Sequence, residues 1–414
     1  MQENSRYAVG IDIGTATIRC VVGHIDPVTG APTIVGVGHA TNSGMRKGSV
    51  AHLTGPAQAI DDALGEAERM SGYQVDTASI SINGTHILST KADGMIAVGG
   101  MDHEIGDEDL ARIEEVATLG KVPANREILE IVPHSYRLDG QDNIKDPLGM
   151  TGTRLEINAN VVSVLAPQLT NLQKTVELAK VEPHTITPAV LAAARAVLSE
   201  QQVENGVAVV DLGGATTSIA VFEEGDLQYV SVLPVGGVNI TNDLAIGLKT
   251  DPEVAELVKV THAVARPRTG AEGVSVKYDK EVFTFDAGDI DEIVEARLEE
   301  IFEAVNKELK KAGRAGQLPS GIVLTGGTAQ LKGVAEYAKA ALGLAVRVGR
   351  SQGYGGVVEH IEEPQYATAV GLMLIDSEVT VARGHGGHHS AAQGKAALKS
   401  ATGFVSKVLG RFKA

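Results

Sequence analysis

Gly10-Ile11-Asp12-Ile13-Gly14-Thr15-Ala16-Thr17, at the end of a short apolar run, decides the fold together with a later counterpart. The counterpart, Val209-Val210-Asp211-Leu212-Gly213-Gly214-Ala215-Thr216-Thr217, is also strand-led and lies about 200 residues downstream. Such turns present backbone N–H groups and hydroxyls to phosphate, with a carboxylate placed for a hydrated Mg²⁺. Ile322-Val323-Leu324-Thr325-Gly326-Gly327-Thr328 adds a third strand-led glycine turn. One such turn is weak evidence, because most glycines in α/β proteins only satisfy turn geometry. Two Asp-bearing turns so far apart imply two like halves clamping one nucleotide between them.

The 414 residues allow two to four subdomains, each with its own core. At 43% hydrophobic and 21% charged the chain reads as an ordinary globular protein. Trp is absent and aromatics are few, so Val, Ile, Leu and Ala must build the cores. The one cysteine, Cys20, lies in the apolar stretch Ile18–Val22 and reads as a buried strand residue, which fits a reducing cytoplasm. Met1–Arg6 is polar and does not read as a signal peptide, and no apolar run has transmembrane length.

Charge is unevenly distributed. No Asp or Glu follows Glu378, whereas that last segment carries six Lys or Arg; removing these from the net −16 leaves −22 on residues 1–378. An acidic body argues against nucleic acid as a partner. A basic tip on it reads as an electrostatic anchor.

Periodicity predicts strands at Tyr7–Asp12, Ile18–Gly23 and Thr33–Gly38, a helix over Gly55–Met70 and a strand at Ala78–Asn83. This is the start of a ribonuclease-H-like half. A compact α+β insertion follows: strand Ile87–Lys91, helix Asp107–Ala117, strand Arg126–Leu138 and strand Thr153–Asn160. Val161–Leu165 reads as a return to the first half, before helices near Gln168–Lys180 and Pro188–Leu198. Strands Gly206–Asp211, Thr217–Glu223 and Gln228–Leu233 open the second half. Beyond Gly236-Gly237 a helix-rich subdomain runs to Arg314 and ends in a long helix from Ile290 to Lys311. A strand, glycine turn and helix span Gly321–Leu342, and another helix covers Tyr366–Ile375.

Residues 381–394 read as a flexible linker; its three histidines, in a Gly-rich tract, supply no preformed metal geometry. In Lys395–Ala414 an apolar stripe at helical spacing includes Phe404, Val405, Val408, Leu409 and Phe412, bordered by Lys399, Lys407 and Arg411. A helix of that length is roughly 30 Å long, and its charges forbid spanning a bilayer. Lying in the interface of an anionic membrane satisfies both faces, each cation there contributing about 1 kcal/mol.

The order of the three turns resembles the phosphate-1, phosphate-2 and adenosine motifs of actin-like ATPases. Together with Ser43–Val50, Asp146–Glu156, Gly321–Gly333, the insertion and the basic tail, the chain resembles the FtsA family across residues 5–414. The resemblance implies an α/β actin-like ATPase fold: two ribonuclease-H-like halves around a nucleotide cleft, an α+β insertion in the first half and a C-terminal amphipathic helix. The halves are expected at 1–83 with 161–200 (364–380 packing back on it) and at 201–238 with 315–363. The insertion is expected at 84–160, a nucleotide and partner-peptide subdomain at 239–314, and the membrane helix at 395–414.

The resemblance also implies ATP and Mg as cofactors. Gly14, Thr15, Ala16 and Thr17 match phosphate-1, and Gly213, Gly214, Ala215 and Thr216 match phosphate-2. Asp12 and Asp211 face Mg²⁺ through water and are the candidates for positioning a catalytic water. Gly236 and Gly237 match the turn under the nucleotide, Glu256 and Lys259 the ribose and base contacts, and Gly326, Gly327 and Thr328 the adenosine turn. Arg297 and Asn306, on the long helix, are candidates for holding the FtsZ C-terminal peptide. Other implied partners are further copies of the chain in a filament, other divisome proteins through the insertion, and the cytoplasmic face of the inner membrane.

One departure bears on rate. Where many actin-like ATPases carry Glu-Pro, this chain has Thr187-Pro188, and a hydroxyl is a poor general base. Hydrolysis is expected to be slow at most. A PilM-like pilus adaptor, and behind it a small-molecule kinase of the superfamily, remain alternatives at this point.

Overall fold

Three antiparallel strands open the chain: β1 (Arg6–Ile13), β2 (Thr17–Ile25) and β3 (Pro32–Thr41). The computed structural model describes residues 6–385 apart from 101, 267, 269–272 and 357. A two-residue ladder, β4 (Met45–Arg46) with β5 (Ser49–Val50), precedes helix α1 (Thr54–Ser71) and strand β6 (Thr77–Ile82). Helix α1 buries Ala59, Ile60, Ala63, Leu64 and Ala67, the stripe its periodicity predicts.

The chain then leaves the sheet through β7 (Leu88–Ala97), α2 (Asp107–Thr118), β8 (Arg126–Leu138), β9 (Gln141–Ile144) and β10 (Arg154–Leu165). These strands form their own sheet, ordered β7-β10-β8-β9, over a core that includes Ile105, Ile113, Leu155 and Ile157. Val161–Leu165 is therefore no separate strand of the first half. It is the end of β10, which pairs with β7 and β8 along its length.

After α3 (Ala166–Leu178), strand β11 (Glu182–Pro188) completes the first sheet, ordered β11-β6-β1-β2-β3. Sequence reading passes over β11 because it carries Pro183 and Pro188. Its edge position in the sheet tolerates both. Helix α4 (Ala189–Val197) is buried on nearly every side.

The second half repeats the plan. Helix α5 (Glu200–Asn205) leads to β12 (Val207–Leu212), β13 (Thr217–Glu223) and β14 (Asp226–Leu233). Helices α6 (Gly237–Gly247) and α7 (Pro252–His262) follow, then the hairpin β15 (Gly273–Tyr278) and β16 (Glu281–Asp286) and the long helix α8 (Ala287–Lys311). That hairpin interrupts a stretch expected to be helical. Strand β17 (Ile322–Thr325), α9 (Val334–Leu342) and β18 (Val346–Val348) close a sheet ordered β14-β13-β12-β17-β18. In both sheets the first strand pairs antiparallel with the second and parallel with the fourth, the ribonuclease-H-like arrangement.

Helix α10 (Ala367–His385) returns to the first half, packing on β1 and α4. A Cβ on Gly371 would lie 1.7 Å from the Ala192 carbonyl oxygen, and one on Gly10 would lie 2.2 Å from that of Ala369. Only glycine permits these approaches. The core beneath the cleft continues from the first sheet through α4 to Val209, Ala220 and Phe222 of the second. Helix α10 extends to His385, into the stretch expected as linker; the remaining linker residues and the predicted membrane helix lie outside the described residues.

Candidate functional site

Strands β1 and β12 occupy equivalent places in the two sheets, and each ends in its aspartate and glycine turn. The turns meet: a Cβ on Gly214 would sit 3.2 Å from that of Ala16, while one on Gly14 would come within 2.5 Å of the Thr17 carbonyl oxygen. Between them lies a cleft of about 330 Å³. Every residue anticipated for phosphate, adenosine or metal lines it except Ala215 and Gly236. A second cavity, of about 610 Å³, shares Lys259, Gly327 and Thr328 with it and extends past His262 and Arg266.

Gly236 supports the site from behind. A Cβ there would lie 2.6 Å from the Gly213 carbonyl oxygen. At the start of α6, Gly237 N–H donates to Gly213 O (3.0 Å) and Val238 N–H to Gly214 O (2.7 Å). Thr328 Oγ1 also donates to Gly213 O at 3.1 Å. The turn at Gly213–Thr216 is thus fixed by α6 and by the third glycine turn.

Two carboxylates floor the cleft. Ser81 Oγ donates to Asp12 Oδ1 at 2.9 Å and accepts the Ile13 N–H at 2.8 Å. Thr325 Oγ1 is 3.4 Å from Asp211 Oδ1. Burial raises the Asp12 pKa, opposed by the Arg19 charge and the Ser81 bond. Burial, and then the Asp12 charge, push Asp211 up to about 7. Two enclosed carboxylates that repel each other, beside turns rich in hydroxyl and backbone donors, are a hard-oxygen set that fits Mg²⁺ directly or through water.

At the outer end Lys259 Nζ donates to Glu256 Oε2 (2.6 Å), Thr241 Oγ1 (2.9 Å) and Gly237 O (3.2 Å). Thr241 Oγ1 also bonds Glu256. A Cβ on Gly237 would come within 2.4 Å of Thr328 Oγ1.

Arg19, Asn83, Gln365 and Thr368 also line the cleft, and sequence reading missed all four. Arg19 had a signal, since the β1–β2 register sets it opposite Asp12. Its Nη2 donates to Gln365 Oε1 at 3.3 Å, and its guanidinium lies 5.5 Å from the centre of the Tyr366 ring. Gln365 and Thr368 arrive some 350 residues later, beyond the reach of any local motif. Thr187 is buried at 1% exposure on β11, and its neighbour Ala189 lines the cleft instead. The lining carboxylates are Asp12, Asp211 and Glu256.

Arg297 is partly buried and ion-paired within the chain. Its Nε donates to Asp243 Oδ2 (2.6 Å) and its Nη2 to Asp243 Oδ1 (3.0 Å), tying α8 to α6. Asn306 lines a separate groove of about 680 Å³ between α8 and α9, with Glu295, Glu299, Glu303 and Tyr337. Phe404, Val405, Val408, Leu409, Phe412, Lys399, Lys407 and Arg411 lie outside the described residues. Among the described residues no helix is long and apolar enough to cross a membrane.

Comparison with known proteins bears on this geometry. The family profile "Cell division protein FtsA" matches residues 208–371, and "SHS2 domain inserted in FTSA" matches 84–163. Cell division protein FtsA of Bacillus subtilis is 38% identical over 377 residues, covering 90% of this chain and 84% of that one. The chain belongs to the FtsA family of cell division proteins. The Pseudomonas aeruginosa FtsA is 34% identical over 376 residues, covering 90% and 89% of the two chains. FtsA of Escherichia coli K12 is 32% identical over 384 residues, covering 90% and 91%. Among solved structures, a PilM–PilN type IV pilus biogenesis complex aligns at TM-score 0.65 and 18% identity, covering 89% of this chain and 98% of that one. MreB5 of Spiroplasma citri bound to ADP aligns at 0.56 and 12%, covering 92% and 99%. These likenesses establish the actin-like fold, and it is FtsA, not PilM, that the sequence matches.

Proposed function

We propose that this cell division protein binds ATP with Mg between its halves, assembles into filaments on the cytoplasmic face of the inner membrane and anchors FtsZ there. The observation that carries the reading is the contact of two like glycine turns above half-buried Asp12 and buried Asp211. Gly14–Thr17 and Gly213–Thr216 would hold the phosphates, Glu256 and Lys259 the ribose and base, and Gly326–Thr328 the adenosine. Asp12 and Asp211 would hold the metal, whose contribution is neutralisation of phosphate charge. The expectation of slow hydrolysis rests on Thr187, a buried hydroxyl where many actin-like ATPases carry a glutamate.

The expected partition serves this division of labour once β10 moves the end of the insertion from 160 to 165: 1–83 with 166–200, 84–165, 201–238 with 315–363, and 239–314. The groove beside Asn306, lined by Glu295, Glu299, Glu303, Arg266 and Tyr337, would receive the FtsZ C-terminal peptide, and the insertion offers a surface for other divisome proteins. The tail from Lys395 to Ala414 would lie in the membrane interface, and many such tails on one filament gain avidity. Liposome co-sedimentation with ATP tests the tether by comparing the full chain with one ending at Ala392. Only the full chain should pellet, and better on anionic lipid. Equal solubility of both would make the tail a partner-binding helix and end the tether reading.

A further inference from the structure

Residues 83 and 84 are where the chain leaves the first sheet for the insertion, and both phosphate turns reach them. Asn83 Nδ2 donates to Thr216 Oγ1 across the cleft at 3.1 Å. Its Oδ1 accepts from Ser218 Oγ (3.1 Å) and from Gly84 N–H (2.8 Å). On the other side, Gly48 N–H donates to Thr15 Oγ1 at 3.0 Å. Gly48 abuts the same root, since a Cβ on it would lie 2.7 Å from the Gly84 nitrogen.

The body of the insertion is held at a second point, on the hairpin β13–β14 that begins at the second phosphate turn. Lys145 Nζ donates to Asp226 Oδ2 (2.5 Å) and Glu224 O (3.2 Å) at the hairpin's tip. Asn160, 1% exposed, directs its Nδ2 to Leu227 O (3.1 Å) and Gln228 O (2.6 Å). A buried amide committed to another subdomain's backbone is a specific joint, because breaking it leaves polar groups unsatisfied. The seven residues of β13 span about 23 Å, so a small tilt at the phosphate end becomes a larger displacement at Asp226.

We propose that Asn83 is a positioning residue for the second phosphate turn, and that the hairpin β13–β14 transmits the ligand state of the cleft to the orientation of the inserted subdomain. The proposal rests on the reading of the cleft as a nucleotide site. It makes the insertion a reporter of that site in addition to a docking surface.

Hydrogen-exchange mass spectrometry on the full chain, with and without Mg–ATP, tests it using wild type, Lys145→Ala and Asn83→Ala. In wild type, ATP should change exchange across 141–165. Lys145→Ala should bind ATP within about twofold of wild type yet lose that change. Asn83→Ala should bind ATP about 3- to 10-fold more weakly, the loss of one net hydrogen bond, and should lose the change too. A merely structural role would raise exchange equally with and without ATP, leaving the difference intact, and that outcome overturns the relay. So does wild type that binds ATP with no response in the insertion. If wild type bound no nucleotide, the nucleotide reading would fail on its own. The ATP-free samples would still decide the joint: Asn83→Ala must speed exchange at both 84–90 and 212–217, and unchanged exchange overturns it.

Discussion

Asp211→Asn separates two roles of the acid pair. In the ligand-free protein, burial first and the Asp12 charge second hold the Asp211 carboxyl at about 7. In the unfolded chain an aspartate titrates near 3.9, so between about pH 4 and 7 the folded state binds the extra proton and stability falls as pH rises. At about 1.36 kcal/mol per unit, a rise of about three units costs the ligand-free protein about 4 kcal/mol above pH 7. Asparagine carries no charge to desolvate. Asp211→Asn should therefore stabilise the ligand-free protein at pH 8 by up to about 4 kcal/mol and flatten that pH slope. The same change removes a hard anionic oxygen from the metal position, so Mg-dependent ATP binding should weaken at least about tenfold. Urea unfolding in EDTA at pH 5.5 and 8, beside titration of ATP binding against Mg, reads both effects. A variant less stable than wild type at pH 8 that still binds Mg–ATP normally would refute the reasoning.

Gly371→Ala forces a Cβ to within 1.7 Å of the Ala192 carbonyl oxygen and should cost about 3 kcal/mol, seen as a lower urea midpoint. Arg297→Ala should lose about 1–3 kcal/mol of stability by freeing Asp243, while affinity for an FtsZ C-terminal peptide stays within twofold. Asn306→Ala should do the reverse, weakening the peptide in a fluorescence titration and sparing stability. Burial, with the Arg126 charge second, holds His86 down at about 4. Because an unfolded histidine titrates near 6.5, stability should fall as pH drops from about 6.5 towards 4, and His86→Gln should flatten that stretch of the pH–stability curve.

How much was legible depends on how local the information is. The three glycine turns could be read because each carries its chemistry within seven to nine consecutive residues, and the helical stripe of α1 because burial follows its period. β11 was missed because its edge position excuses prolines that would exclude a central strand. The run Val161–Leu165 was misassigned because buried strands look alike whichever sheet they join. The pairing of Arg297 with Asp243 depends on the packing of α8 on α6, which sequence alone does not give. Arg19, Asn83, Gln365 and Thr368 meet at the cleft through strand register and chain return, which no window of sequence contains.

The pairing of β7 with β10 has a consequence for engineering and descent. Leu88 lies opposite Ser163, so the strands carrying the chain out and back run side by side. The subdomain between them is entered and left through one doorway and has a sheet and apolar core of its own, although its body also rests on the hairpin β13–β14. A short turn joining 83 to 166 would close that doorway without breaking a ladder of either main sheet. A foreign domain whose ends lie a strand spacing apart could be fitted in its place, making this the position where the scaffold accepts new modules.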